Sequence, residues 1–157
     1  MTMHRFFASA FAVVLGMTGL PVLAVDATHT HEAHPAKLQL DQGRKWATDE
    51  PLRRGMGAIR AVMAERIEAI HRNRLSAEEY RAAGVAIEQE VARIVAECKL
   101  EPKADAMLHI VIADLLAGAD VMQGKVKAKP VAGAHKVVQA LNAYGKYFEH
   151  PGWQGLK

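Results

Sequence analysis

The chain has 157 residues, 50% of them hydrophobic and 24% charged, which suits one globular domain with its own core. Its single cysteine excludes an intramolecular disulfide, a multi-cysteine metal knot and the paired-cysteine attachment of c-type haem. A formal charge of +3 is too mild for a nucleic-acid binder, and scarce aromatics beside abundant Met, Ala and Val favour helices over a β-sandwich.

In chain order, residues 1–24 read as a secretory signal peptide. His4 and Arg5 form a short polar start, Phe6 to Leu20 are largely apolar, and Pro21 precedes the cleavage tripeptide Val22-Leu23-Ala24, with Val25-Asp26-Ala27 as a second option. The apolar run of about fifteen residues falls short of the roughly 20 needed to span a bilayer, so cleavage is expected in preference to anchoring. The mature chain is then periplasmic and carries no transmembrane segment.

Residues 25–47 form the expected N-terminal arm. Its start lacks apolar periodicity and reads as flexible, whereas the later part, with Leu38, Leu40 and Trp46, reads as an extended strap anchored by the indole. His29, His31 and His34 stand within six residues of one another. Neutral imidazoles at that spacing on a flexible chain can chelate Cu²⁺, Zn²⁺ or Ni²⁺; a polar linker rich in histidine is the alternative. Cleavage after Ala27 would make His29 the second residue and let it share a cupric ion with the terminal amine.

Residues 48–157 show four helical segments. The first opens on Thr48 or Asp49 as N-cap with Pro51 in the first turn, and its stripe runs Leu52, Met56, Ile59, Met63, Ile67 and Ile70 to an end near Asn73. The second begins at the capping box Ser76-Ala77-Glu78-Glu79 and carries Tyr80, Ala83, Ile87, Val91, Ile94 and Cys98. The third, from about Ala104 to Gln123, has Leu108, Ile112, Leu115, Ala119 and Met122, with Gly124 as C-cap. The fourth starts at Pro130 and carries Val131, Ala134, Val138, Leu141, Gly145 and Phe148, closing at His150-Pro151-Gly152. Four amphipathic helices on short connections predict an all-α, antiparallel up-down-up-down four-helix bundle with an extended N-terminal arm.

That topology gathers Met56, Cys98, Met107, His109, Tyr147 and His150 toward one end. Thioether, thiol and imidazole are the donors that soft or borderline metals prefer, so Met56, Cys98 and His109 join the three arm histidines as candidate ligands. Each also has a structural reading: Met56 as core, Cys98 as a buried inert thiol, His109 as a satisfied histidine beside its seam, His150 as a cap on the last turn. The rings Tyr144, Tyr147, Phe148 and Trp153 are expected to close the end of the bundle with Trp46.

Three short stretches resemble cytochrome b-562: Leu52-Arg53-Arg54-Gly55-Met56-Gly57-Ala58-Ile59, Gly124-Lys125-Val126-Lys127 and Asn142-Ala143-Tyr144. The resemblance implies the cytochrome b-562 and c-prime type of four-helix fold and makes Met56 an axial haem ligand. The chain departs from the pattern where the second ligand belongs, because Gly145 follows Tyr144 and no Cys-x-x-Cys-His is present. It also resembles small exported proteins of Gram-negative bacteria that share the bundle without haem, the DnrO-like group.

No nucleophile elbow, phosphate loop or Glu-x-x-His pair points to an enzyme. The expected function is therefore non-enzymatic metal binding, with copper first and zinc next, for buffering or delivery. A haem b electron-transfer protein and a cofactor-free bundle that docks a periplasmic protein in envelope stress are the alternatives.

Overall fold

Asp49 shows how local chemistry starts the fold. In the structure, a computed structural model that describes residues 37–157, its extended backbone precedes helix α1 (Glu50–Ala64) and its Oδ1 accepts the Leu52 amide at 2.9 Å. Its other oxygen accepts the Lys99 amide at 2.7 Å, tying the start of α1 to a connection fifty residues away. Asp49→Ala is expected to lower stability by about 1–3 kcal/mol, since a cap and a long-range bond are lost together. A chemical-denaturation midpoint that falls with an unchanged m value checks this.

Leu52, Met56, Ile59 and Met63 of α1 are fully buried, as their spacing predicts. The expected single helix to Asn73 does not form. The chain turns at Glu65 and Arg66, and a short helix α2 (Ile67–His71) follows. The cause is local. The Arg66 amide bonds to Met63 O, and its guanidinium takes the Val62 carbonyl at 2.8 Å in place of the backbone. Ile67 consequently stays half-buried while Ile70 reaches the core, and Asn73 ends the segment with a left-handed φ of 50°.

Helix α3 (Ala77–Glu97) starts on the complete capping box: the Glu79 amide donates to Ser76 Oγ at 3.2 Å and the Ser76 amide to Glu79 Oε2 at 2.8 Å. The Ser76 amide and the Ser76 hydroxyl, both donating to the carboxylate, hold the Glu79 carboxyl below its ordinary range. Helix α4 (Pro102–Met122) has Pro at its first position and ends at Gly124, whose φ of 75° lets the Lys125 amide reach back to Asp120 O. Helix α5 (Pro130–Tyr147) buries Gly133, Ala134, Val137, Ala140, Leu141 and Tyr144. Val137 takes the core place expected of Val138, which is only half-buried.

Packing joins α1 to α3, α3 to α4, and most extensively α4 to α5. At the last contact Gly133 and Gly118 let two backbones touch: a Cβ on Gly133 would lie 2.8 Å from Val121 Cβ and 2.9 Å from the Met122 amide nitrogen. Ion pairs lie on the rim, among them Arg54 with Glu97, Lys125 with Glu88 and Lys136 with Asp114. All are largely exposed and fix register more than they stabilise. Among the described residues there is no strand, only two isolated bridges, and no helix is long and apolar enough to cross a membrane.

Candidate functional site

Polar and aromatic groups concentrate where the chain ahead of α1, the end of α5 and the C-terminal tail meet. A tight turn pairs Asp41 with Arg44 through two backbone bonds of 2.8 Å. Beyond it Trp46 straddles Phe148, its amide donating to Tyr147 O at 2.8 Å and its carbonyl accepting from Glu149 at 2.9 Å. The Trp46 indole donates to Gln39 O at 2.7 Å, and Lys45 Nζ donates to Gly145 O at 2.6 Å. Thr48 completes this strap: its hydroxyl donates to Glu149 O, and the Arg53 guanidinium donates to its carbonyl at 2.6 Å.

The tail is fastened in the same manner. The Asn142 amide donates to Leu156 O at 2.8 Å while its oxygen accepts the Leu156 amide at 2.9 Å, a two-point clasp that buries Leu156. Arg60 Nε donates to Gln154 O. Held this way, the Trp153 indole lies over Gly145, where any Cβ would collide with it. Its buried Nε1 has no hydrogen-bond partner among the described residues.

Beneath strap and tail, Tyr144 stacks on Phe148 at 5.3 Å between ring centroids and meets Trp153 edge-on at 4.9 Å. Both Tyr144 and Phe148 are fully buried. The Tyr144 hydroxyl lies 3.0 Å from His150 Nδ1, and the His150 ring leans on Trp153 at 4.9 Å. Burial pushes the Tyr144 phenol far up, opposed by Arg53 and reinforced by Asp49, so it remains a hydroxyl. Burial also lowers His150, and the Arg53 charge lowers it further, so the imidazole is neutral at pH 7. His150 borders two clefts. One, of about 780 Å³, is lined by Asp41, Arg44, Lys45, Ala47, Glu149 and Pro151; the other, of about 180 Å³, is lined by Gly57, Arg60, Gly152, Trp153 and Gln154.

The ligand candidates fall in different surroundings. His29, His31 and His34 lie outside the described residues, as does the proposed signal peptide. Met56 is fully enclosed in the core. Cys98 is the half-buried C-cap of α3, and burial, with the Asp49 and Asp105 carboxylates, raises its thiol above the ordinary range. His109 is on the exposed face of α4, its Nδ1 2.9 Å from Asp105 O and 3.4 Å from Asp105 Oδ2. No three His, Cys, Asp or Glu side chains converge as a metal site among the described residues.

Three residues have roles that helical periodicity does not reveal. Arg53, on α1, is half-buried against Thr48; His150, expected as a cap, partners a side chain. Asn142 read only as part of a resemblance, whereas here it clasps the tail. The proline and glycine before Trp153 were the available sign that the chain folds back. No family model, curated protein or solved structure matches the chain.

Proposed function

We propose that the protein is an exported, periplasmic, non-enzymatic helical bundle that binds a metal ion, copper first, through His29, His31 and His34, for buffering or delivery. The bundle is of the antiparallel up-down-up-down four-helix type, with α2 continuing α1; the pairwise packing of successive long helices and the short connections between them support it.

One observation supports assigning the metal to the arm. The strap that follows it is tied, through Trp46, Lys45 and Thr48, to the end of α5 and the residues just beyond it, so the three imidazoles precede a fixed point of the domain by a short length of chain. The other candidate set is chemically weaker. Met56 is enclosed by core side chains, and Cys98 favours the protonated thiol, a poor metal ligand. One feature counts against the haem b alternative: the Trp153 indole fills the space beside Gly145 where the family's second ligand belongs.

Equilibrium titration of residues 25–157 with Cu²⁺, Cu⁺ and Zn²⁺ tests this reading. Stoichiometric Cu²⁺ binding is expected, strongly weakened when His29, His31 and His34 are replaced by Ala, as loss of three imidazole ligands to a first-row metal implies. Equal binding by the triple variant, or none by either protein, would refute the arm as the site.

A further inference from the structure

We propose that the Tyr144–His150 hydrogen bond is a protonation-sensitive clasp that holds the strap and the C-terminal tail on the end of α5 at neutral pH and loosens both on acidification. The inference is independent of metal binding. It stands on the placement of His150, which follows Glu149 in the segment bonded to the strap, accepts the Trp153 amide at its carbonyl (3.0 Å), and sets its ring against Tyr144 and Trp153.

The geometry sets which nitrogen takes the proton. The Tyr144 side chain is fully buried and His150 Nδ1, 3.0 Å away, is the one hydrogen-bond partner of its hydroxyl among the described residues, so we assign Nδ1 as the acceptor of the phenol's hydrogen. Neutral His150 therefore carries its own hydrogen on Nε2 and receives the phenol's at Nδ1. Acid adds a proton at Nδ1, setting an N–H against an O–H. The hydroxyl must rotate so that its oxygen accepts, which takes its hydrogen away from the one acceptor it has among the described residues. The clefts on either side give the imidazole access to solvent.

The surrounding charges oppose the imidazolium on balance. Arg53 reaches it from α1, with Asp49 beside the same phenol; Arg60 borders the smaller cleft. In the larger cleft Arg44 and Lys45 are matched by Asp41 and Glu149, and that even lining selects neither an anion nor a cation as ligand. A histidine depressed in the folded state favours the folded form above its unfolded pKa. That contribution falls as the pH drops from about 6.5 through the folded value.

Hydrogen exchange of the purified protein at pH 7.5 and 5.0, corrected for intrinsic exchange, tests the clasp. At pH 5.0 the amides of Trp46, Glu149, Trp153 and Leu156 should lose protection relative to pH 7.5, as a histidine whose pKa is lowered on folding requires. Those of α3 and α4 should hold theirs. His150→Gln, whose carbonyl can still accept from Tyr144, should abolish the pH dependence at these amides. NMR titration of His150 in the unmodified protein should share its midpoint with the loss of protection, a check that does not need the variant to fold. Equal protection at both pH values, a separate midpoint, or a folded His150→Gln protein that still loosens in acid would overturn the proposal.

Discussion

Tyr144→Ala is expected to destabilise the protein by about 3–5 kcal/mol, the range for deleting a large buried aromatic. The side chain is fully buried and touches three rings at once, Phe148, Trp153 and His150. Removing it opens a cavity beneath strap and tail, and the tail cannot collapse into it while Asn142 and Arg60 hold Leu156 and Gln154 in place. Tyr144→Phe separates packing from hydrogen bonding: it keeps the ring and loses only the bond to His150, for about 1 kcal/mol. Urea unfolding of both variants gives the two numbers. A Phe variant as unstable as the Ala variant would place the energy in the hydrogen bond instead of the rings.

Gly133→Val should cost about 3 kcal/mol, at the upper end of the usual cost of overpacking, because what it meets is backbone. The added Cβ would sit against Gly118 O, Val121 Cβ and the Met122 amide nitrogen. No side-chain rotation relieves a clash with a neighbouring helix's own main chain, so α4 and α5 must separate along their most extensive contact. Gly57→Ala is the contrast. Nothing lies within 4 Å of its Cβ, and a helical glycine there should gain about 0.5–1 kcal/mol on gaining a methyl group. Thermal melts of the two variants should move in opposite directions.

What the sequence made legible was whatever local chemistry decides. Ser76 and Glu79 satisfy each other's backbone across three residues, so the start of α3 needed no tertiary knowledge. Gly124 and Asn73, with left-handed φ, ended their segments for equally local reasons. The break after Ala64 was not legible, because a long Arg66 side chain competes for a carbonyl that periodicity assigns to the backbone. Val137 and Val138 are adjacent and alike; Val137 is the one that faces inward, packed over Gly118 of α4, a tertiary contact the sequence does not mark.

The aromatic site was half legible. Its rings could be grouped from the sequence, but the polar partners that organise it come from far along the chain. Thr48 binds Glu149 and Lys45 reaches Gly145, contacts that no single helical period encodes. Gly145 is the clearest case. Its spacing puts it in the apolar stripe of the last helix, yet it is half-buried and receives the Trp153 indole from the tail.

The proposed metal chemistry is tested most directly by electron paramagnetic resonance of one equivalent of Cu²⁺ added to residues 25–157 at pH 7.4. The spectrum should show nitrogen superhyperfine structure from bound imidazoles, lost when His29, His31 and His34 are all replaced by Ala. A spectrum of aquated Cu²⁺, or a nitrogen-coordinated one that the triple replacement leaves unchanged, would contradict it.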